Sequence, residues 1–135
     1  NIWGLNKLGA CVTVCAPKTL LPSCIDEMGV SVSYNLDDCI RDANVVMGLR
    51  LQLERQQAGL FPSVAEYNAY YGINSSRLMR ADGNAILLHP GPVNRGLEHG
   101  SDGADGEQSY ILRQGTNGVA VRMAVLFLLT RPKEK

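Results

Sequence analysis

The residues best placed for chemistry follow an apolar run at positions 85–88, which predicts a buried β-strand. The next residues are His89, Pro90, Gly91 and Pro92. The prolines fix φ and lack N–H donors, whereas the glycine lets a ligand approach the backbone closely. Open α/β sheets bind ligands beyond the carboxyl ends of their strands. We therefore expect this loop to present rigid backbone groups to a ligand.

A second candidate site lies beyond the apolar run at positions 44–49, where Arg50 and Gln52 follow the end of another predicted strand. The Arg50 guanidinium could bind a carboxylate or a phosphate, and Gln52 shares its face if the chain stays extended. The alternative is a structural ion pair between Arg50 and Glu54. If the two strands are neighbours, both loops open onto one crevice, and we favour ligand binding.

Other polar side chains near the proline-rich loop have two interpretations. His89 could act as a general base, and Asn94 and Arg95 could bind an anion. A histidine at a strand end more often has a structural role, and no paired acid is evident, so we predict a structural role for His89. Asn94 could equally close a turn and Arg95 could hold neighbouring loops together, so we predict structural roles for these two as well. The chain contains no G-x-G-x-x-G, Walker A or G-x-S-x-G motif. We assign no catalytic side chain.

The elements that must position these loops alternate along the chain. Strands are predicted at positions 10–16, 30–34, 44–49 and 85–88. Helices are predicted at 21–28, at 36–43 behind the N-cap Asn35, at 74–80 behind Asn74, and at 108–130 with an interruption near Gly115 and Gly118. A glycine- and aspartate-rich loop is expected at 97–106. This alternation predicts a three-layer, Rossmann-like α/β fold, with a parallel sheet covered by helices on both faces.

Both ends of the chain are predicted to be helical. Residues 1–8 have the pattern of a helix end, and Gly9 is its expected stop. The apolar segment Val119–Leu129 contains Arg122 and is too short to span a bilayer. We therefore predict that this segment is a helix of the core.

Composition narrows the classes of partner. The chain has 135 residues, enough for one domain, and its 13 basic residues balance 13 acidic ones. This balance predicts binding neither to nucleic acid nor to a membrane surface. The cysteines, at positions 11, 15, 24 and 39, lack Cys-x-x-Cys spacing, which argues against structural zinc. With no signal peptide in the sequence, reduced thiols and a cytoplasmic location are expected.

Two strings of the sequence resemble a known family. They are LRLQLER at positions 49–55 and HPGPVNRG at 89–96, with further agreement in PKTLLP at 17–22 and TNGVAVRMA at 116–124. These motifs are similar to those of the aspartate/ornithine carbamoyltransferases, and the likeness covers nearly the whole chain. Within that family, the chain resembles the C-terminal, aspartate-binding domain of a bacterial aspartate carbamoyltransferase catalytic chain.

The resemblance implies transfer of a carbamoyl group from carbamoyl phosphate to L-aspartate, a step of pyrimidine biosynthesis. Arg50 and Gln52 match residues that bind aspartate. The backbone of Pro90, Gly91 and Pro92 matches a loop that contacts carbamoyl phosphate. The family uses neither a metal nor an organic cofactor for this chemistry, so none is expected here.

Other implied properties concern closure and assembly. Glu54 and Arg55 match residues that help the two domains of the family to close. The family forms trimers whose active sites lie between subunits. Regulatory chains or other pyrimidine-pathway chains can bind to these trimers. These features are expected of the parent protein.

The resemblance also implies that residues 1–135 are an N-terminally incomplete aspartate-binding domain. The family's carbamoyl-phosphate domain is absent, and so is a first strand that sits centrally in the sheet. Without that strand, the four remaining strands could not form one continuous sheet, and new edges would be exposed. We therefore expect the isolated chain to be inactive.

Two alternatives remain open. A non-catalytic remnant or assembly module would keep the fold without the reaction, and an in-frame Ser-Thr-Arg-Thr segment upstream would argue against it. Ornithine carbamoyltransferase shares the architecture, but its members carry a cysteine in the loop that matches positions 89–92. This chain has no cysteine there.

Overall fold

The computed structural model describes residues 1–55, 62–100 and 106–131. The strands in these ranges are β1 (Thr13–Cys15), β2 (Ser31–Ser33), β3 (Val45–Met47) and β4 (Ile86–Leu88). The α-helices are α1 (Ile2–Lys7), α2 (Leu36–Cys39), α3 (Val64–Tyr71), α4 (Ser75–Leu78) and α5 (Ile111–Thr130). Short 3-10 turns cover Lys18–Leu20, Ile25–Met28 and Leu53–Arg55.

The strands form two parallel pairs in the described part of the chain. β1 pairs with β2, with Val14 opposite Val32, and β3 pairs with β4, with Val46 opposite Leu87. Parallel strands joined through helical segments confirm the predicted α/β class. The expectation that the four strands do not form one continuous sheet is also confirmed, since no ladder in the described ranges joins the two pairs.

Asparagine side chains fix two helix starts, as the sequence predicts. The Asn35 side chain precedes α2 and accepts hydrogen bonds from the backbone N–H groups of Asp37 and Asp38. The Asn74 side chain precedes α4 and accepts from the N–H of Arg77 at 2.9 Å. Each cap satisfies backbone donors that the first helical turn leaves unpaired.

The helix predicted at positions 21–28 is wrong, because only Ile25–Met28 is helical and it forms a 3-10 turn. Cys24, immediately before the turn, has a φ of 59°, which an α-helix cannot contain. Gly29 ends the turn with a φ of 74°, and Gly9 follows α1 with a φ of 78°. Both predicted stops are therefore confirmed, in the left-handed region that glycine adopts without steric cost.

The main hydrophobic cluster lies around β3 and β4. Its buried members are Ile40, Val46, Ile73, Leu78 and Leu87. They come from the end of α2, the two strands, α4 and the turn before it. The loops that follow β3 and β4 therefore start from well-packed elements.

The C-terminal helix differs from its prediction in two ways. α5 continues through Gly115 and Gly118, where the sequence predicts an interruption. An interior glycine weakens a helix by about 1 kcal/mol, which bends or destabilises it without necessarily ending it. The predicted core position of Val119–Leu129 is wrong, because every residue of that segment is exposed. Within the described ranges, none of the helices combines the length and the apolar composition that a membrane span requires.

Candidate functional site

The proline-rich loop leaves the carboxyl end of β4, where the sequence places it. Pro90, Gly91 and Pro92 are all exposed, and the Gly91–Pro92 peptide bond is cis. Gly91 has a φ of 70°, and no atom beyond its chain neighbours lies within 4 Å of the position that a Cβ would take. The backbone of this loop is therefore open to a ligand.

Arg50 lies beyond the end of β3, between the strand and the buried Leu51, and Gln52 is exposed. Nη2 of Arg50 is 3.0 Å from Oε1 of Glu54, so the ion pair considered as the alternative is present. Because Glu54 is half exposed, this pair contributes little stability and can yield to a ligand. Nε of Arg50 is buried and has no hydrogen-bond partner in the described structure. Because 28% of the Arg50 side chain is exposed, the guanidinium can also donate to a carboxylate or phosphate.

Asn94 holds the two loops together. Its Nδ2 donates a hydrogen bond to the carbonyl oxygen of Leu51, next to Arg50, at 3.1 Å. Beneath the loops, the N–H of Gly48 donates to the carbonyl oxygen of Leu88 at 3.0 Å and extends the β3–β4 ladder. The structure therefore brings together the two strings that the sequence singles out, and it supports the structural role predicted for Asn94.

The remaining sequence candidates lie around these loops. The 3-10 turn at Leu53–Arg55 contains Glu54 and Arg55. Glu54 pairs with Arg50, and the Arg55 side chain lies outside the described residues. Arg95 is exposed and forms a backbone bridge with His99. Glu54 and Arg55 as residues of domain closure stay a prediction.

Behind the proline-rich loop lies a buried polar cluster of His89, Glu98 and His99, which we call the His–Glu cluster. Their exposed fractions are 1%, 3% and 0%. Nε2 of His89 is 3.5 Å from Oε1 of Glu98, and the rings of His89 and His99 meet edge to face with centroids 5.1 Å apart. Oε1 of Glu98 also accepts a hydrogen bond from the N–H of Asn94 at 2.6 Å. The cluster therefore contacts Asn94, the residue whose side chain bonds to the Arg50 segment.

His89 is anchored through its backbone and through its ring. Its N–H donates to Oε1 of Gln114 on α5 at 2.7 Å, and its Nδ1 accepts from the N–H of Gly91 at 2.9 Å. Because Nδ1 accepts, the proton of a neutral His89 lies on Nε2, the atom that faces Glu98. The expectation that His89 has no paired acid is therefore wrong, because Glu98 lies beside it. The Gly91 hydrogen bond at Nδ1 still supports the structural role predicted for His89 over that of a general base.

Burial favours the neutral form of both histidines. It lowers the pKa of His89, and Glu98 opposes the shift. Burial and the neighbouring His89 lower the pKa of His99 to about 4, again opposed by Glu98. A neutral His89 can accept the Gly91 hydrogen bond at Nδ1, whereas a protonated ring cannot.

Sequence reasoning misses Glu98, His99 and Gln114. The glycine-rich loop expected at positions 97–106 carries no periodicity, so nothing indicates that its first residues are buried. One signal was available in Gly48, a glycine inside an apolar run, which can mark close approach. A Cβ added at Gly48 would overlap Nε2 of His99.

The arrangement suits a ligand that carries a carboxylate and a second group able to meet exposed backbone. The Arg50 guanidinium supplies the cation, and the proline-rich loop supplies carbonyl oxygens at the same end of the β3–β4 pair. Among the residues that the structure describes, no three His, Cys, Asp or Glu side chains are arranged to hold a metal ion.

Comparison with known proteins identifies close relatives. The aspartate carbamoyltransferase catalytic subunit of Ruminiclostridium cellulolyticum is 57% identical over 131 residues, which are 97% of this chain and 42% of that protein. The subunit of the same name from Caldanaerobacter subterraneus subsp. tengcongensis is 58% identical over 129 residues, 96% of this chain and 42% of that protein. The chain thus spans 42% of the length of these relatives.

Solved structures share the fold. Ornithine carbamoyltransferase from Thermus thermophilus superposes with a TM-score of 0.79 at 18% identity, over 96% of this chain and 43% of that chain. Aspartate transcarbamoylase from Trypanosoma cruzi, solved with carbamoyl aspartate and phosphate, superposes with a TM-score of 0.68 at 27% identity. That match covers 87% of this chain and 39% of the other.

The family assignment rests on nearly the whole chain. Residues 2–129 match the aspartate/ornithine carbamoyltransferase, Asp/Orn binding domain, which includes both loops of the site. The resemblance inferred from the sequence strings is confirmed. The chain belongs to the aspartate/ornithine carbamoyltransferase family, within its Asp/Orn binding domain.

Proposed function

We propose that this chain is an incomplete aspartate-binding domain, residues 1–135, of an aspartate carbamoyltransferase catalytic chain. The observation that carries the proposal is the 57% identity, over 97% of the chain, to a protein named as such a catalytic subunit. In the reaction, the amine nitrogen of L-aspartate bonds to the carbamoyl carbon of carbamoyl phosphate. The bond from that carbon to the phosphate oxygen breaks, the amine loses a proton, and N-carbamoyl-L-aspartate enters pyrimidine biosynthesis.

Arg50 and Gln52 are the proposed aspartate-binding residues. The Arg50 guanidinium is rooted beside the buried Leu51, and its pair with the half-exposed Glu54 can open to admit a carboxylate. Charge-assisted hydrogen bonds from a guanidinium to a carboxylate are stronger than neutral ones and fix the orientation of the bound group. Gln52 is exposed on the same segment and can add an amide hydrogen bond.

The backbone of Pro90, Gly91 and Pro92 is the proposed contact for carbamoyl phosphate. The carbamoyl amide needs hydrogen-bond acceptors, and the three exposed residues of this loop carry backbone carbonyl groups, while its prolines have no competing N–H donors. Neither loop contains a serine, threonine, cysteine or lysine that could act as a nucleophile. Rate enhancement would therefore come from holding the two reactants in line and stabilising the developing charges, without a cofactor.

The preference for aspartate over ornithine rests on the proline-rich loop. Ornithine carbamoyltransferases are expected to carry a cysteine in the loop matching His89, Pro90, Gly91 and Pro92, and none is present here. The two relatives by sequence described above also carry the name of the aspartate enzyme.

We propose that the parent protein carries a carbamoyl-phosphate domain, assembles around a trimer, and uses Glu54 and Arg55 when its domains close. The isolated chain should produce no N-carbamoyl-L-aspartate, because it spans only 42% of the relatives' length and supplies only one side of the site. Measurable turnover by the purified chain would contradict this part of the proposal.

A chimera tests the function directly. In this chimera, the chain replaces the matching 42% of the Ruminiclostridium cellulolyticum catalytic subunit. We expect formation of N-carbamoyl-L-aspartate from carbamoyl phosphate and L-aspartate, and no product from L-ornithine. A folded chimera without activity would favour a non-catalytic remnant or assembly module, and citrulline formation from ornithine would favour the ornithine enzyme.

Two arginine variants of the chimera separate binding from general charge effects. Arg50→Ala removes a charge-assisted pair and should raise the KM for aspartate by about 10- to 100-fold. Arg41→Ala is the matched control, because the ion pair between Arg41 and Asp38, at 3.5 Å, is exposed and contributes little. Equal KM values for the two variants would make Arg50 a structural residue.

A further inference from the structure

The His–Glu cluster connects the two loops of the candidate site. The Leu51 carbonyl oxygen accepts from the Asn94 side chain at 3.1 Å, and the Asn94 N–H donates to Glu98 at 2.6 Å. Glu98 faces His89 at 3.5 Å, and His89 accepts from the N–H of Gly91 at 2.9 Å. The two loops are therefore joined by three hydrogen bonds and the 3.5 Å contact between Glu98 and His89, which together form a polar path from the Arg50 segment to the proline-rich loop.

The His–Glu cluster is poorly suited to packing alone. Oε2 of Glu98, Nε2 of His89 and both ring nitrogens of His99 are buried without hydrogen-bond partners in the described structure. Buried polar atoms without partners cost stability, and apolar side chains of similar volume usually pack at no such cost. A local arrangement that lowers stability is expected where geometry serves a site.

His99 packs the cluster against the strand that leads to Arg50. Its ring meets His89 edge to face, and its Nε2 lies where a side chain on Gly48 would be. Gly48 directly follows β3, so the ring fills the space between that strand end and the proline-rich loop. Both loops are thus seated on the same buried cluster.

We propose that His89 and Glu98 are positioning residues, which fix the proline-rich loop at a set distance from the Arg50 segment. The inference rests on the proposed function, in which carbamoyl phosphate meets one loop and aspartate meets the other. The carbamoyl carbon and the amine nitrogen are then held by different loops. The spacing between the loops therefore sets the geometry of attack, where a misplacement of about 1 Å can cost about 100-fold in rate.

Two substitutions of His89 test the path at the proline-rich loop in this chain. His89→Asn keeps an acceptor near the position of Nδ1, whereas His89→Gln removes it and places an amide nearer to Nε2. By NMR-detected hydrogen exchange, the Gly91 amide should exchange at least about tenfold faster in His89→Gln than in His89→Asn. Equal exchange rates in the two folded variants would overturn the role of His89.

Two substitutions of Glu98 test the other end of the path. Glu98→Gln keeps an oxygen that can accept from the Asn94 N–H, whereas Glu98→Met has similar size and no such acceptor. The Asn94 amide should exchange at least about tenfold faster in Glu98→Met than in Glu98→Gln. Equal exchange rates in the two folded variants would overturn the role of Glu98. The His89 pair and the Glu98 pair are measured independently, so the proposal is still tested if one variant does not fold.

Kinetics of the same variants in the chimera test whether positioning affects the reaction. Relative to their conservative partners, His89→Gln and Glu98→Met should lower kcat by about 10- to 100-fold, while the KM for aspartate changes less than about threefold. The two variants at each position are compared only if they have the same unfolding midpoint. A general loss of stability would then not lower kcat in one variant and leave it unchanged in the other. Equal kcat values within each pair would show that the cluster only packs the loop.

The two proposals fail in different ways. An inactive but folded chimera would overturn the proposed function, while the exchange rates of Gly91 and Asn94 would still report whether the cluster fixes the loops. An active chimera with equal kcat values in each variant pair would leave the function in place and overturn the positioning role.

Discussion

The two strand pairs of this chain are built alike and packed differently. Each is parallel, and each strand has three residues. In β3 and β4 the central residues Val46 and Leu87 are buried, whereas the central Val14 and Val32 of β1 and β2 are only half-buried. The candidate site follows the β3–β4 pair. Close packing and the polar groups of the candidate site are therefore concentrated in the β3–β4 pair. We expect mutations in this pair to destabilise the chain more than matched mutations in the β1–β2 pair.

The largest expected effect comes from truncating the centre of β4. Leu87 has no exposed surface, so Leu87→Ala removes buried methyl groups and leaves a cavity. We expect a loss of about 2–5 kcal/mol in the free energy of unfolding, measured by urea denaturation of this chain.

The matched variant in the other pair is Val14→Ala, which removes fewer and only half-buried carbon atoms from β1. Its loss should be about 1 kcal/mol or less. Similar losses for the two variants would contradict the contrast between the strand pairs.

A smaller effect is expected from adding a single methyl group beneath the site. Gly48→Ala places a Cβ against the His99 ring, which is itself buried, so His99 or β3 must shift. Overpacking of this kind should cost about 1–3 kcal/mol in the free energy of unfolding.

Gly83→Ala is the control for Gly48→Ala. A Cβ at Gly83 meets no atom within 4 Å, and its φ lies outside the left-handed region. Stability should therefore stay the same or rise by about 0.4–1 kcal/mol. If both alanine variants behave alike, His99 does not fill the space that Gly48 leaves.

The pH dependence of stability should also report on the His–Glu cluster. The pKa of His99 is about 4 in the folded chain and near its ordinary value of 6.5 when unfolded. Between these values the unfolded chain binds a proton that the folded chain does not, so the free energy of unfolding should fall as the pH drops from about 6.5 to about 4. His89, also lowered, acts in the same direction, and Glu98 opposes both shifts.

His99→Leu should flatten part of that dependence, which urea denaturation at a series of pH values can measure. The remaining slope includes the contribution of His89, whose pKa is also lowered by burial. An unchanged slope would mean that His99 titrates normally and that the cluster is open to water.

The smallest expected effect is in α5. Gly115 is an exposed interior residue of the helix, and a Cβ there meets no atom within 4 Å. Gly115→Ala should therefore raise helix stability by about 0.5–1 kcal/mol, seen as a gain in helical circular dichroism and in the unfolding midpoint. A loss of stability would indicate that this turn of α5 packs against another surface.

The sequence predicts the architecture better than the packing. The apolar runs at positions 44–49 and 85–88 contain β3 and β4, and Asn35 and Asn74 cap helices as expected. These signals are local, since a strand pattern or a cap depends on a few adjacent residues. Local sequence does not determine that Val119–Leu129 is exposed, because an apolar helix has the same pattern whether or not other surfaces cover it.

The parts of the candidate site that carry local sequence signals were predictable, and the parts that depend on tertiary contacts were not. The loop at Pro90–Pro92 and the cation at Arg50 carry strong local signals, and their proximity follows from adjacent parallel strands. The pairing of Arg50 with Glu54 could be stated only as an alternative. Glu98 and His99 were not predictable as buried residues, because their burial depends on tertiary contacts with Asn94, His89 and the strand end at Gly48.

The long helix α5 has a consequence for the local stability of the chain. Ile111, Gln114 and Gly118 are half-buried along its first two turns, and every residue from Val119 to Thr130 is exposed. Because the side chains of the later turns are exposed, we expect these turns to behave as a short helix in water, in equilibrium with coil. Their amide hydrogens should exchange by fraying, whereas those of the first turns should exchange only when the β4 region opens. One continuous helix thus contains two units with separate opening free energies.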